Sequence, residues 1–516
     1  MLSTVYSSGI MGIDGFEVTV ECNMQDKIPC FEIVGLPDAA VKEAEKRIQA
    51  ALENSGFFFP DTAIVINLAP ADMKKEGSTY DLALLTSVIH CGGIIKKSID
   101  FEDKCFIGEL SMSGSVRAVR GVLSMTLSAR DKGRKEIFVP YDNAKEASVV
   151  SGIKVYPVRN IKELIDHLNG KTLLTPVEFD QSIFEKQRDN QRMDFSDVKG
   201  QQKAKRALEI AAAGNHNVLL IGPPGTGKSM LAKRLPSILP KITFDEAVET
   251  TKIHSVSGIL PESSLIVERP FRSPHHTMSA AALAGGGRIP MPGEISLAHN
   301  GILFLDELPE FNKTATEVLR QPLEDGNITI TRAAGHFTFP STFMLVCAMN
   351  PCKCGYYGHP TKKCNCKQED IKKYISKISG PLIDRIDIQL EVSSLSYNEL
   401  SDSRPAESSE EIRKRVDTAR ERAVERFKND KTYDGKPVYS NADMTTSLIR
   451  KYCILDDDAH ALLKNAFDKM GMSARGYDRI LRVALTIADL DNSDKIQVKH
   501  SAEAIQLRSL DRKYFS

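Results

Sequence analysis

One octet in the chain has the residue types and spacing that hold the phosphates of a nucleotide. It reads Gly222-Pro223-Pro224-Gly225-Thr226-Gly227-Lys228-Ser229. An apolar run, Val218 to Ile221, precedes it. Glycines let such a loop wrap closely, so that its N–H groups point at phosphate, and the following helix N-terminus adds partial positive charge. The octet predicts an ATP site in which Lys228 reaches the β- and γ-phosphates and Ser229 binds Mg²⁺.

Two carboxylates after a second apolar run belong to the same chemistry. Residues 301–305 predict a short buried strand, and Asp306 and Glu307 follow it directly. We expect Asp306 to hold the Mg²⁺ through water and Glu307 to polarise the attacking water. A strand that ends in an ordinary acidic turn has the same pattern, but the nearby octet favours the catalytic interpretation.

Three further residues complete a phosphoryl-transfer site. Asn350 follows a predicted strand over residues 343–349 and is placed to hold the attacking water or the γ-phosphate. Arg385 precedes an apolar strand, and Arg475 lies at the start of a predicted helix. An arginine can neutralise transition-state charge, and if Arg385 comes from a neighbouring subunit, activity requires oligomerisation. The alternatives are a turn for Asn350 and a surface ion pair for each arginine.

Four of the ten cysteines fall in two C-x-C pairs, Cys352 with Cys354 and Cys364 with Cys366. Four thiolates across a turn-rich loop could hold one tetrahedral zinc ion. The loop between them lacks the apolar residues for a core of its own, which favours a metal staple. C-x-C is tighter than the usual C-x-x-C spacing, so reduced thiols without metal are the alternative.

These residues need a scaffold, and 516 residues are enough for several domains. Hydrophobic residues make up 41% and charged residues 26%, as in ordinary globular proteins. The formal net charge is zero, which gives no global indication of nucleic-acid binding, although a local basic stripe would not register in it. We found neither a run of about 18 apolar residues nor a signal peptide, so we expect a cytoplasmic protein without a membrane partner.

The pattern along the chain predicts four segments. Residues 1–170 alternate short apolar strands with amphipathic helices, and residues 171–193 are a polar linker. Residues 194–395 form a second α/β block that holds the motifs, and residues 396–516 read as helical.

With these motifs the sequence resembles the ComM/YifB family, the magnesium-chelatase-like AAA+ proteins of bacteria. The resemblance covers nearly the whole chain, and its most specific stretches are residues 272–277, 285–287, 292–301 and 348–352. It implies an α/β fold: an AAA+ P-loop core with a helical C-terminal lid, preceded by a Lon-protease-like α+β domain. It also implies a homo-oligomeric, hexameric ring that moves on single-stranded or branched DNA and promotes branch migration in natural transformation. An ATP-driven protein-remodelling motor of the chelatase type is the alternative.

The same resemblance gives roles to two insertions in the core. Residues 268–296 resemble an insert in the second helix, and residues 324–343 resemble a hairpin with Arg332 and His336 near its tip. In related motors such loops line the pore, which implies that Arg332 and His336 contact DNA; the alternative is that they are structural hairpins between subunits. For the pair His275 and His276, hydrogen bonding is a better prediction than metal binding, because neighbouring residues face different ways.

The Lon resemblance of the N-terminal domain rests on residues 75–79, 108–110 and 121–125. A Ser-Lys peptidase needs a hydroxyl nucleophile and a lysine to deprotonate it. The matched positions hold Thr79 and Met125. A thioether cannot accept a proton, so we expect the fold without the peptidase chemistry.

Overall fold

The computed structural model describes residues 1–188, 193–260, 265–287, 290–332, 335–359, 361–395, 399, 406–433, 435–510 and 514–515. The chain forms two compact units. The first comprises Met1–Gln187, Phe244–Val267 and Ala333–Phe339, and the second comprises Arg188–Thr243, Glu268–Arg332 and Pro340–Ser516. Strands and helices are numbered along the whole chain.

The first unit is built on a mixed seven-stranded sheet in the order β3-β4-β2-β1-β5-β8-β9. Its strands are β1 Leu2–Met11, β2 Asp14–Gln25, β3 Cys30–Val34, β4 Ala63–Ala69, β5 Lys104–Phe106, β8 Glu136–Pro140 and β9 Lys154–Val158. A separate two-stranded sheet pairs β6 Glu109–Leu110 with β7 Val116–Arg117. Strand β1 pairs antiparallel with β2 and parallel with β5, so local hairpins and crossover connections occur in one sheet.

Eight helices accompany that sheet within the described part of the first unit. They are α1 Ala39–Lys42, α2 Ala44–Asn54, α3 Asp81–Cys91, α4 Val122–Asp131, α5 Ala144–Ser148, α6 Ile161–Leu168, α7 Gln181–Arg188 and α10 Phe244–Ser257. Helix α3 is buried along its whole length. Its Asp81 carboxylate pairs with Arg47 of α2 at 2.7 Å, which satisfies a charge that would otherwise be costly to bury.

Helix α10 lies between ATPase-type motifs in sequence but packs in the first unit. Its Ser255 hydroxyl donates to the buried Glu146 carboxylate, which also accepts from the Leu123 N–H at 2.9 Å. Burial raises the pKa of Glu146, and these hydrogen bonds oppose that rise. At its exposed side Lys252 pairs with Asp14 at 2.8 Å. Residues 244–267, which the sequence pattern predicted as part of the second α/β block, thus belong to the first unit.

The second unit contains a five-stranded parallel sheet in the order β11-β14-β17-β10-β18. Its strands are β10 Val218–Ile221, β11 Phe271–Arg272, β14 Ile302–Leu305, β17 Met344–Met349 and β18 Ile388–Glu391. Two further two-stranded sheets pair β12 Gly285–Gly286 with β13 Met291–Pro292, and β15 Asn327–Arg332 with β16 Gly335–Pro340, whose residues up to Phe339 are assigned to the first unit. Strands β10, β14 and β17 are buried throughout, which is why they read as continuous apolar runs.

The remaining helices of the second unit cover this sheet and form a C-terminal helical layer. They are α8 Gln202–Gly214, α9 Lys228–Arg234, α11 Ala280–Ala284, α12 Glu294–Leu297, α13 Lys313–Glu317, α14 Pro322–Asp325, α15 Gln368–Ile375, α16 Gly380–Ile383, α17 Ser409–Phe427, α18 Thr446–Tyr452, α19 Asp457–Met470, α20 Ala474–Leu490 and α21 Val498–Gln506. Short 3₁₀ helices span Tyr141–Asn143, Phe195–Asp197, Leu235–Ile238, Leu308–Glu310 and Asn441–Asp443.

Helices α17 and α20 share one hydrophobic core with the sheet. Val416 on α17 and Val483 on α20 are buried in the same cluster as Leu220 of β10 and Val346 of β17. Helix α17 begins at a capping box in which Ser408 and Glu411 satisfy each other's backbone N–H groups. The predicted α/β fold with a helical C-terminal region is confirmed. Among the described residues, no helix combines the length and apolar character required to span a membrane.

Candidate nucleotide site

Strand register brings the candidate nucleotide-binding groups to one edge of the five-stranded sheet. Leu305 of β14 lies opposite Cys347 of β17, and Ile221 of β10 lies opposite Met349. Asp306, Asn350 and Gly222 therefore leave the sheet at its carboxyl edge. This is where open α/β sheets bind ligands.

The loop after β10 has the backbone of a phosphate-binding loop. Gly225 and Gly227 have φ values of +80° and +88°, a left-handed conformation that a side chain would strain. A Cβ atom on Gly222 would lie 2.3 Å from the Val392 carbonyl oxygen, so that position also requires glycine. Helix α9 begins at Lys228, which directs its N-terminus toward the loop.

The Lys228 ammonium lies at the centre of the site. It donates to the carbonyl oxygens of Gly222 and Pro223 at 2.7 and 2.8 Å, and to Oδ1 of Asn350 at 3.2 Å. Burial lowers the pKa of Lys228, and the nearby charges of Asp306 and Glu307 oppose that change. The lysine thereby joins the loop after β10 to the end of β17.

The metal-binding candidates Ser229 and Asp306 are already in contact. The Ser229 hydroxyl donates to Oδ2 of Asp306 at 2.6 Å, and Oδ1 of Asp306 accepts from the Glu307 N–H at 3.0 Å. A hydroxyl and a carboxylate are both oxygen ligands, the type that Mg²⁺ prefers.

A cavity of about 370 Å³ opens between these elements. It is lined by Pro224, Gly225, Thr226, Gly227, Lys228, Ser229, Met230, Asp306, Glu307, Met349 and Asn350. The structure therefore brings together the last six residues of the octet, both carboxylates and Asn350.

His276 contacts the candidate catalytic carboxylate, a pairing that the sequence did not indicate. Its Nδ1 lies 3.5 Å from Oε2 of Glu307, and Glu307 itself has a left-handed φ of +54°. The neighbouring His275 forms a 2.9 Å hydrogen bond with the Thr277 hydroxyl. These polar contacts agree with the predicted hydrogen-bonding role of this pair. His276 follows β11, so its place beside Glu307 results from the pairing of β11 with β14.

The two candidate arginines lie outside the residues that line this cavity. Arg385 is buried between α16 and β18, where it donates to the Pro381 carbonyl at 2.6 Å and forms an ion pair with Glu324. Arg475 is exposed in the first turn of α20. Their proposed action on a nucleotide remains a prediction.

The four cysteine sulfurs of the two C-x-C pairs converge, with Sγ atoms of all four within 4.8 Å of one another. Cys352 lies 3.4 Å from Cys354 and 3.7 Å from Cys364, and Cys354 lies 3.6 Å from Cys364. Thiolates about 2.3 Å from a tetrahedral zinc are about 3.8 Å apart, so the spacing fits that ion. We call these four residues the cysteine cluster.

The two insertions predicted to line a pore are in contact through β12 and β15. A Cβ atom on Gly285 would lie 2.9 Å from Cδ1 of Ile330, and one on Gly286 would lie 3.2 Å from Nη2 of Arg332. Arg332 is exposed, and its Nη1 donates to the Thr331 carbonyl at 3.1 Å. His336 is also exposed.

The peptidase-like positions of the first unit do not hold the required pair. Met125 is fully buried in an apolar cluster with Val122 and Ile137. Lys75 is fully buried as well, and its ammonium donates to the Pro70 carbonyl oxygen. Burial lowers the pKa of Lys75. The absence of peptidase activity nevertheless stays a prediction.

Family models for magnesium-chelatase proteins match three stretches of the chain. The model "Magnesium chelatase, subunit ChlI" matches residues 194–400, and "Subunit ChlI of Mg-chelatase" matches residues 20–143. "Magnesium chelatase, subunit ChlI C-terminal" matches residues 406–508. With the parallel sheet and the phosphate-binding loop, these matches define the class as an AAA+ P-loop protein.

Curated relatives match almost the full length. Competence protein ComM of Haemophilus influenzae is 41% identical over 99% of this chain and 98% of its own length. YifB of Escherichia coli is 39% identical over 99% of this chain and 98% of its own length. Lon protease of Buchnera aphidicola is 28% identical over 115 residues, 21% of this chain and 14% of that protein. The chain belongs to the ComM/YifB family of magnesium-chelatase-like AAA+ proteins, with a Lon-like N-terminal domain.

The first prediction separates ATP binding from turnover. Glu307→Gln should keep ATP bound but lower kcat by about 10²-fold or more, since an amide cannot polarise water as a carboxylate does. Lys228→Ala should instead weaken binding, because it removes the main cation facing the phosphates. Nucleotide binding and phosphate release measured on both variants check this, and normal turnover by Glu307→Gln at saturating ATP would contradict the assignment.

The second prediction concerns Arg385. Arg385→Ala should leave ATP binding nearly intact and lower hydrolysis by about 10³-fold or more, as expected for an arginine acting on a neighbour's nucleotide. Mixing Arg385→Ala with Lys228→Ala subunits should restore part of the activity through mixed interfaces.

Glu324→Gln is the matched control, because it disrupts the same ion pair and keeps the arginine. If the pair is only structural, Glu324→Gln and Arg385→Ala should impair hydrolysis equally, and mixing should restore nothing.

Proposed function

We propose that this protein is an ATP hydrolase that drives movement on DNA. The nucleotide cavity supports the ATPase: a buried lysine, a hydroxyl–carboxylate pair for Mg²⁺ and a second carboxylate line one pocket. In this scheme Lys228 and the loop N–H groups hold the phosphates of ATP. Ser229 and Asp306 hold Mg²⁺, and Glu307 polarises the water that attacks the γ-phosphate.

Asn350, Arg385 and Arg475 would complete the catalytic site. Asn350 Oδ1 lies 3.2 Å from the Lys228 ammonium, so it would orient water or γ-phosphate from the end of β17. Arg385 would supply positive charge to the nucleotide of a neighbouring subunit, and Arg475 would act from the first turn of α20. A hexameric ring is the assembly we propose, because it gives each nucleotide such a neighbour.

The proposed DNA contact is supported by the position of Arg332 on β15, beside Gly286 of β12. Arg332 presents an exposed side chain, and its guanidinium lies so close to Gly286 that a Cβ atom there would be 3.2 Å from Nη2. Arginine–phosphate contacts are independent of sequence, as a motor that traverses any sequence requires. We propose single-stranded or branched DNA as the substrate, with Arg332 and His336 as contacts.

The biological role follows from the relatives. Because a full-length relative is a competence protein, we propose that branch migration during recombination of transforming DNA, in the cytoplasm, is the setting. The family models name a chelatase subunit, and this favours an ATP-driven protein-remodelling motor as the second candidate. An ATPase that responds to a protein partner and not to DNA would indicate the second candidate.

The third prediction tests the DNA contact. Arg332→Ala should lower DNA stimulation of the ATPase and spare the basal rate, because Arg332 does not line the nucleotide cavity. On single strands the log–log salt slope of binding should become shallower by about 0.7 for each phosphate that the variant no longer neutralises. Arg450→Ala, an exposed arginine on α18, is the control and should change neither quantity.

Two outcomes would contradict this account in different ways. Wild-type ATPase that ignores DNA, together with binding that is insensitive to salt, would favour the remodelling motor. If Arg332→Ala unwinds branched DNA normally, the DNA motor stands and β15 is not its contact.

The fourth prediction concerns metal in the cysteine cluster. The four sulfurs have the spacing of a tetrahedral site, so we expect about one zinc ion per chain. Metal analysis of protein purified without a metal-affinity tag measures it, and Cys352→Ser and Cys364→Ser should both lose the ion. A zinc content near zero in fresh, reduced protein would favour plain thiols.

A further inference from the structure

The cysteine cluster lies next to the nucleotide cavity along the chain and in space. Cys352 is two residues after Asn350, the residue that ends β17 and contacts Lys228. The second pair, Cys364 and Cys366, immediately precedes α15. The intervening segment, residues 351–367, is called the cysteine loop below. The cysteine loop therefore begins directly after Asn350, a residue that lines the nucleotide cavity.

The cysteine loop also rests directly on the phosphate-binding loop. A Cβ atom on Gly355 would lie 2.6 Å from Cδ and 3.2 Å from Cγ of Pro224, a residue that lines the nucleotide cavity. Such distances leave no room for a side chain, so the Gly355 backbone packs against the Pro224 ring. Gly355 has a φ of +84°, a further reason for glycine at that position.

The cysteine loop has no regular secondary structure of its own, and its described contacts besides the sulfurs are few, such as the rings of Tyr357 and Tyr514, 6.4 Å apart. Its described residues, 351–359 and 361–367, contain neither helix nor strand. Segments of this length without secondary structure rarely hold one conformation inside a compact domain unless something ties them down. Cys352 is buried, whereas Cys354, Cys364 and Cys366 are partly exposed, so three of the four sulfurs lie outside the apolar core.

We propose that a zinc ion in the cysteine cluster braces the nucleotide cavity. The ion would hold the cysteine loop in the shape that presses Gly355 onto Pro224 and positions Asn350 beside Lys228. Loss of the ion would release both contacts and weaken nucleotide binding. This inference rests on the ATPase function proposed above, and it makes metal occupancy a determinant of that activity.

The test compares zinc content with nucleotide affinity in the full chain. Cys364→Ser removes one thiolate 14 residues away from Asn350, outside the cavity. It should lose zinc and raise the Kd for a fluorescent ATP analogue by about tenfold. Cys30→Ser, an exposed cysteine on β3 of the other unit, is the control and should change neither value.

Two further samples keep the test decisive if Cys364→Ser folds poorly. Wild-type protein stripped by a chelator should lose nucleotide affinity and regain it with added zinc. Gly355→Ala keeps all four thiolates, so it should retain zinc and still bind the analogue more weakly, because its methyl group displaces Pro224.

The outcomes distinguish failure of the proposed zinc effect from failure of the proposed ATPase function. If the wild-type protein binds the analogue equally well with and without zinc, the proposed stabilisation of the cavity by zinc is wrong. The ATPase proposal would remain intact. Normal nucleotide affinity in Gly355→Ala would also contradict the proposed zinc effect, since the contact of Gly355 with Pro224 would then have no influence on nucleotide binding. Wild-type, zinc-loaded protein that fails to bind the analogue would contradict the ATPase proposal instead.

Discussion

The hydrogen-bonded pairing of β10, β17 and β14 sets the position of every group that lines the nucleotide cavity. These strands run parallel and in register, so their polar ends arrive at the same edge within hydrogen-bond reach. Lys228 then contacts Asn350, and Ser229 contacts Asp306, across strands that are far apart in sequence. A shift of one residue in any of these strands would turn its side chains to the other face and separate the site.

A buried polar network ties this sheet to the C-terminal helices. Asp387, just before β18, accepts from the Asn217 N–H at 3.2 Å and pairs with Arg479 of α20 at 3.3 Å. Burial by itself raises the pKa of Asp387, but the His216 hydrogen bond and the charge of Arg479 outweigh it and hold that pKa well below its usual range. Removing one member of a buried pair typically costs about 3–5 kcal/mol, so this pair holds α20 against the sheet.

Much of the fold could be predicted because its strongest signals are local. Strands β10, β14 and β17 are apolar runs that end in polar residues, and α19 and α20 show stripes at helical spacing. The backbone conformation of the octet can be predicted from its glycines, since only glycine accepts the left-handed φ of Gly225 and Gly227 without strain.

The remaining features depend on contacts between distant segments, which no local pattern reports. Helix α10 packs in the N-terminal unit through Ser255 and Glu146, 109 positions apart. The approach of His276 to Glu307 depends on the pairing of β11 with β14. The contact of Gly355 with Pro224 depends on how the cysteine loop folds back. Periodicity and motif spacing contain no information on such encounters.

The central claim is that ATP hydrolysis at this cavity moves DNA strands. Strand displacement from a fluorescently labelled forked duplex, measured in wild type and Glu307→Gln at saturating ATP, tests it most directly. We expect ATP-dependent displacement by the wild type, and none by Glu307→Gln even though it binds the same fork. A wild-type protein that hydrolyses ATP rapidly in the presence of the fork and leaves it intact would contradict the claim.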